Sequence, residues 1–563
     1  MRTVSIGNQS FESIREKNNF YIDKTLFIKE WWESGDIVTL ITRPRRFGKT
    51  LNMSMLNCFF SNRYEKRKDL FEGLSIWTDE KYRKIQGTYP VIFLSFASVK
   101  ETKIEDAKYR ICSIISEIYE DNRYLLESGV LSSNEAEQFK SVKVGMNPLG
   151  VSDAIKLLCG YMKRYYGKKV LIFLDEYDTP MQEAYVGGYW DEMVSFMRAF
   201  FNSTFKTNPH LDRAIMTGIT RISKESMFSD LNNLNVVTTT NDEYATCFGF
   251  TQSEVLKALK EAGLSGKKDE VKKWYDGFIF GSHTDIYNPW SITCYIDKKE
   301  IRTYWTDTSS NGLAGKIIQS GSVEIKKAME KLLNGESITV ELDEQIIFNQ
   351  INRKKNAIWS LLLASGYLKA EKIKIVNTAV NSTYKLKITN LEVKVMFQNM
   401  IIDWFETSGD AADEFTKSLI EGNVKAMNYF MNKIALTTFS YFDTGNKPSE
   451  YDEPEKFYHG FVLGLMVGQR ENYVIKSNRE SGFGRYDIMM IPKNIKNKIL
   501  PAIVIEFKVH DSDDGTELKD TVEAALKQID EKKYDEELLQ LGINKKRIRH
   551  YGFAFKGKEV LIG

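Results

Sequence analysis

A chain of 563 residues has room for about three or four domains, each large enough to bury its own core. Its 42% hydrophobic and 27% charged residues are those of an ordinary globular chain, which excludes disordered and fibrous classes. The 78 basic and 76 acidic residues leave a net charge of +2, so any nucleic-acid footprint must be local. Five scattered cysteines without a CxxC pair predict reduced core thiols rather than a disulfide framework. No apolar run is long enough to span a membrane, and MRTVSIGNQSFESIREKNNF lacks an apolar signal core. The expected location is the cytoplasm, with no membrane partner.

In the first half, IVTLIT (37–42), PVIFLSF (90–96), VLIFLD (170–175) and RAIMTG (213–218) are short apolar runs, each followed by a helix-length segment. This alternation predicts buried parallel strands of an α/β sheet.

Behind the first run, Gly48-Lys49-Thr50 matches the end of a phosphate-binding loop, GxxxxGK[ST]. The chemistry needs that order. Backbone amides and a helix N-terminus cradle phosphate, Lys49 reaches the β- and γ-phosphates, and the Thr50 hydroxyl ligates Mg²⁺. Arg45, Arg46, Phe47 and Leu51 flank the motif, and Arg43 stands where the first glycine would be. GKT alone also fits a plain solvated turn, so the later strands carry the argument. VLIFLDEYDTP ends in Asp175-Glu176: the first carboxylate would hold Mg²⁺ through water, and the second would polarise an attacking water. A helix cap is the other reading of such a pair. RAIMTGITRIS places Thr217 at a strand end to sense the γ-phosphate. Arg221 follows, either to stabilise transition-state charge or as a surface arginine.

From about 250 to 440 helical periodicity dominates, in SEVLKALKEAG, AIWSLLLASGYL and KVMFQNMIIDWF. Between the last two, KIKIVNTAVNSTYKLKIT reads as a β-hairpin, which makes a small winged-helix-like unit. A third region opens near 450 with the helix EKFYHGFVLGLMVG. YVIKSNRES, GRYDIMMIP and ILPAIVIEFKV follow as strands, then the helix DTVEAALKQIDEKKYDEELL and the strand RIRHYGFAF. The expected architecture is α/β and multidomain: a P-loop domain over 1–285, a helical, winged-helix-like middle over 286–445, and an α/β domain over 446–563.

In this last region Asp487 and the pair Glu506-x-Lys508 are spaced for a hairpin that sets Asp487 beside Glu506. Two carboxylates there can bind divalent ions, and Lys508 can orient or help deprotonate an attacking water. Glu506 and Lys508 share one strand face. An amphipathic edge strand is the alternative. Ser481-Gly482-Phe483-Gly484 permits a tight turn before Asp487. Lys493, Lys496, Lys498, Lys545, Lys546, Arg547 and Arg549 are candidates for a local phosphate-binding face, or simply solvated surface.

YIDKT (21–25), TRPRRFGKTL (42–51), FLDEYDTP (173–180), TGITRIS (217–223), FSDLNNL (228–234) and WYDGFIFG (274–281) together resemble a known family. It comprises AAA-ATPase-like proteins of bacteria and archaea that carry a C-terminal PD-(D/E)XK nuclease-like domain. In that family the loop reads RPRRFGKT, so Arg43 is the family's own form. The residues of WYDGFIFG read only as a turn with aromatic packing, and FSDLNNL carries no assignable chemistry. ALKQIDEKKY resembles the Q-xx-Y-type motif of recombination-type PD-(D/E)XK nucleases, with Gln528 and Tyr534 on one helix. The resemblance also implies a further metal ligand from the first helix, His459 or Glu455. The implied cofactors are ATP and Mg²⁺ (or Mn²⁺), and the implied partner is nucleic acid, DNA first; a homo-oligomer is compatible. Two functions follow: an ATPase coupled to a metal-dependent nuclease, or a STAND-type signalling ATPase whose nuclease-like domain binds without cleaving. A plain DNA-binding protein ranks third.

Overall fold

Every residue of Val38–Thr42 (β1) is buried, as a strand covered on both faces requires. β1 is an interior strand of a five-stranded parallel sheet with Val91–Ser95 (β2), Val170–Asp175 (β3), Leu211–Gly218 (β4) and Leu234–Val237 (β5), in the order β2-β3-β4-β1-β5. The four apolar runs are thus β1 to β4. β5 is an edge strand whose residues are mostly half-buried, so its sequence lacks the continuous apolar run that marks its neighbours. Trp31, Phe59, Phe60, Phe71 and Phe173 belong to one aromatic-rich core against this sheet.

The computed structural model describes residues 2–221, 228, 231–308, 312–319, 323–333, 335–342, 356–372, 383–406, 410–438, 462, 465–466, 469, 471–481, 484–495, 499–510, 517–556 and 559–563. They form two compact units: Met1–Asn311 with Ser337–Lys394, and Gly312–Glu336 with Val395–Gly563.

In the first unit the helices that matter to the site are Lys49–Phe60 (α1), Thr179–Gly187 (α2) and Pro289–Lys298 (α3). Phe250–Thr251 (β6), Phe278–Phe280 (β7) and His283–Tyr287 (β8) make a small sheet ordered β6-β8-β7. A second small sheet contains Ile338–Glu341 (β9), Leu368–Lys372 (β10) and Thr383–Ile388 (β11), all antiparallel. β10 and β11 pair after the helix Ala357–Ala364 (α4); β11 is the second arm of the expected hairpin, while its expected first arm, after Lys372, falls in residues 373–382, outside the described residues. At the start of Leu391–Glu406 (α5), the fully buried Glu392 accepts the backbone N–H groups of Tyr304 at 2.6 Å and Trp305 at 2.7 Å. The Ser291 hydroxyl donates to its other oxygen at 2.8 Å, which ties α3 into the same knot.

The second unit carries Tyr473–Ser481 (β12), Gly484–Pro492 (β13), Ala502–Val509 (β14), Ile548–Lys556 (β15) and Glu559–Ile562 (β16), adjacent in that order. β14 and β15 are parallel and the other pairs antiparallel. The parallel pair needs a crossover, supplied by Leu518–Glu531 together with Glu536–Gln540. β16 is a short edge strand that lay beyond the last predicted strand. Its free backbone groups are met by Val424–Thr438 (α6), where Asn428 and Asn432, one turn apart, each exchange two hydrogen bonds with the backbone at Ile562 and Val560. The two crossover helices are α7 (Leu518–Glu531) and α8 (Glu536–Gln540).

All five cysteines are buried and unpaired. Among the described residues no helix is long and apolar enough to cross a membrane.

Candidate functional site

The loop between β1 and α1 ends on Gly48, whose φ of 80° at the helix N-cap suits a residue without Cβ. Lys49 is buried. Its amine donates to the carbonyls of Arg43 at 3.0 Å and Pro44 at 2.8 Å, and burial holds its pKa below the usual lysine value. Arg43 explains the missing glycine. Its guanidinium is fully buried, donates to the carbonyls of Thr42, Thr238 and Glu243, and lies over the Phe280 ring at 4.8 Å. Phe47 packs edge-on against Phe278 at 4.7 Å and Phe280 at 5.4 Å. WYDGFIFG is therefore more than a turn: its two phenylalanines buttress the phosphate loop.

At the C-terminal ends of β3 and β4, Thr217 donates its hydroxyl to Asp175 Oδ1 at 2.5 Å, with both residues fully buried. Burial raises the Asp175 pKa, against the pull of the Thr217 and Thr50 hydroxyls and of Lys49. Asp175 Oδ2 is buried with no aligned hydrogen-bond partner. An orphaned carboxylate oxygen beside Thr50 fits a divalent cation held directly or through water. Glu176 is half-buried in left-handed backbone at φ 52°, and Arg46 shares that region at φ 64°. For non-glycine residues this costs about 1–2 kcal/mol each and gathers at functional sites.

Asp178 was not singled out from the sequence. Its Oδ2 accepts from the amides of Ile219 at 3.0 Å and Thr220 at 2.8 Å and from the Thr220 hydroxyl, so it clamps the turn after β4. A Cβ at Gly218 would stand 2.6 Å from Asp178 Oδ1, so only glycine fits there. A carboxylate three residues beyond Asp175, before Thr-Pro, was the available signal.

Arg45 to Asn52, Glu176 and Thr179 line one cleft of about 630 Å³. Its other walls include Phe20, Tyr21, Ile22, Lys24, Phe250, Trp290 and Cys294. Lys24, from YIDKT, donates to Glu254 at 2.7 Å and to the Thr246 carbonyl. Arg221 lines a separate, smaller cavity with Thr42, Thr238, Thr240 and Leu363. Arg221 is not among the residues that line the larger cleft with Lys49 and Glu176.

In the second unit, β13 and β14 pair with Ile488 opposite Ile505, so the register sets Asp487 opposite Glu506. The Phe507 amide donates to Asp487 Oδ2 at 2.8 Å. Gln528 on α7 bridges the two strand residues: its amide donates to Glu506 and its carbonyl accepts from Lys508 Nζ at 2.7 Å. Glu506 is 3% exposed, so its charge calls for compensation. Two carboxylates on adjacent strands are the oxygen donors that Mg²⁺ or Mn²⁺ takes. Among the described residues no three His, Cys, Asp or Glu side chains gather as a ready metal cluster. His459 and Glu455 lie outside the described residues.

Two expectations change here. Gln528 and Tyr534 do not share a helix: α7 ends at Glu531, Lys533 turns left-handed at φ 53°, and Tyr534 drops into the core to meet the Gln528 amide at 3.2 Å. The basic residues after 544 sit at the wrong end of the sheet. Ile548 pairs with Ala502, four residues or about 13 Å along β14 from Glu506. Arg547 is spent on the carbonyls of Ile495 and Leu500, and Arg549 on that of Ile420. Lys496 and Lys498 are outside the described residues.

Residues 5–228 match the family described as "Predicted AAA-ATPase", and residues 453–563 match the PD-(D/E)XK nuclease superfamily. The chain joins an AAA-ATPase-like domain to a PD-(D/E)XK domain. A relative from Azotobacter chroococcum mcd 1, an uncharacterized protein in the vnfD 5′ region, is 24% identical over 404 residues. That alignment covers 71% of this chain and 70% of the relative. The AAA-ATPase-like match contains Gly48, Lys49, Thr50, Asp175, Glu176 and Thr217, and the PD-(D/E)XK match contains Asp487, Glu506, Lys508 and Gln528.

Proposed function

We propose that this chain is an ATP-binding P-loop ATPase coupled to a metal-dependent nuclease that cleaves nucleic-acid phosphodiesters, DNA first. The observation that carries the nuclease half is Asp487 opposite Glu506 with Lys508 held by Gln528, an uninterrupted set of acid, acid, base and positioning amide. On the ATPase side the same reading rests on Lys49, Thr50 and Glu176 lining one cleft.

In the ATPase, Gly48 and the amides opening α1 bind the phosphates, Lys49 moves from the loop carbonyls to phosphate oxygens, and Glu176 orients the attacking water. Thr50 and Asp175 would hold Mg²⁺, and Thr217 fixes Asp175. In the nuclease, Asp487 and Glu506 would hold Mg²⁺ or Mn²⁺, and Lys508 orients a water for attack on phosphorus. A divalent ion at either place supplies positive charge to phosphate oxygens.

The test is one matrix: plasmid and single-stranded substrates, Mg²⁺ or Mn²⁺, with and without ATP. Wild type should nick at least one substrate. Asp487→Ala and Lys508→Ala should each lower cleavage by at least about a hundredfold with nucleotide affinity unchanged. Lys49→Ala should lose ATP binding. No cleavage under any condition, together with a nucleotide-dependent change in oligomer size, would replace this reading with the STAND-type one.

A further inference from the structure

The phosphate loop carries two adjacent exposed arginines, Arg45 and Arg46, both on the wall of the cleft that Lys49, Thr50 and Glu176 line. They diverge. The Arg46 guanidinium lies over the Trp290 ring at 4.3 Å, and its charge acts on the Cys294 thiol one turn along α3. That is the apolar end of the cleft, where Phe20, Ile22, Phe250, Trp290 and Cys294 adjoin one hydrophobic cluster. Arg45 lines the same cleft as Lys49, Thr50 and Glu176, and among the described residues its guanidinium stacks on no ring. Its guanidinium makes no hydrogen bond or ion pair among the described residues, while its carbonyl accepts from the Asn288 amide at 3.5 Å.

A second strong cation on the wall of the lysine's cleft is opposed there by like-charge repulsion, weak through solvent, while no anion is bound. It becomes favourable when an oligophosphate arrives between them. Arg221, the arginine that the strand-end motif suggests for this task, opens onto the smaller cavity instead.

We propose that Arg45 is the arginine that neutralises charge on the reacting phosphates, supplied from the chain's own phosphate-binding loop. This rests on the ATPase reading above. In hydrolysis the water oxygen bonds to the γ-phosphorus as the bond from that phosphorus to the β–γ bridging oxygen breaks. The products are ADP and inorganic phosphate. The water's proton passes toward the Glu176 carboxylate and on to the departing phosphate or solvent. Negative charge grows on the bridging oxygen as that bond breaks. A planar guanidinium with five donors can meet that oxygen and a terminal oxygen together. Nucleotide hydrolases that borrow such an arginine from a partner gain about 10³–10⁵ in rate from it. A chain that carries its own does not wait for a second copy.

The test uses the full chain with ATP and Mg²⁺. Nucleotide affinity is read by titration calorimetry, and phosphate release is followed over a wide range of protein concentration. Arg45→Ala should lower kcat by at least about a hundredfold, with affinity changed no more than about fivefold. Arg45→Lys should recover part of the loss, and wild-type activity per molecule should not depend on protein concentration. The proposal is overturned if Arg45→Ala keeps kcat within about threefold of wild type. It is equally overturned if the loss appears in Arg221→Ala instead, or if wild type binds ATP without turning it over. Lys49→Ala separates the two levels: unchanged ATP affinity there refutes the ATPase reading itself. Should Arg45→Ala melt early, Arg45→Lys keeps the charge and carries the comparison of kcat alone.

Discussion

Asp276 and Asp285 show how one residue can make the fold respond to pH. Asp276, in WYDG, is buried, and burial followed by its hydrogen bond with Asp285 pushes its pKa up to about 7. Asp285 is held low by its hydrogen bonds with Lys272 and Asp276. A carboxyl that keeps its proton in the fold but loses it near pH 4 when unfolded makes the native state the better proton binder between those values. The stability it contributes is full below about pH 4 and is lost as pH rises through about 7. Wild type should therefore lose urea resistance from pH 5 to 8, followed by tryptophan fluorescence. Asp276→Asn should flatten that slope, and parallel profiles for the two proteins would refute the assignment. At this scale the sequence marked Lys49, Thr50, Asp175, Asp487 and Glu506, because each sits in a short motif whose spacing the chemistry dictates. It left Asp178 and Trp290 unmarked, since each acts through residues brought near only by folding.

At the scale of elements, β16 is an edge that the chain has closed. Asn428 and Asn432 offer amide donors and acceptors at a spacing that matches Ile562 and Val560, so a helix stands in for a neighbouring strand. Replacing both with alanine removes four hydrogen bonds at a typical net value of about 1 kcal/mol each. Amide exchange at Val560 and Ile562 should accelerate at least about tenfold, and the double variant should aggregate more readily through the opened edge. Unchanged exchange at both positions would mean that the side chains contribute little. The apolar strands β1 to β4 were legible because burial on both faces demands a continuous apolar run. β5 and β16 were not, because short edge strands need no such run.

For the whole molecule, each unit should answer to its own ligand. ATP with Mg²⁺ at about a hundred times its Kd should stabilise the first unit by about 2.7 kcal/mol. This would be seen as slowed amide exchange in β1, β3 and β4, and Lys49→Ala should abolish it. Exchange in β13 and β14 should respond instead to Mn²⁺ and lose that response in Asp487→Ala. An ATP effect that survives Lys49→Ala would place nucleotide binding elsewhere in the chain.

By itself the sequence determined the α/β class, where the main strands fall along the chain and which motifs stand at their ends. Those features rest on local pattern: apolar periodicity, turn glycines, and motifs in which neighbouring residues contact one ligand. Tertiary structure decided what each flanking residue does. It buried Arg43 as the brace of the phosphate loop, set Phe278 and Phe280 behind Phe47, left Arg221 on the wall of another cavity, and ended α7 before Tyr534. It also put the basic run after 544 at the far end of the sheet, because a parallel crossover brings β15 in beside the start of β14. None of these contacts has a sequence period, since each depends on where chain segments distant in sequence meet.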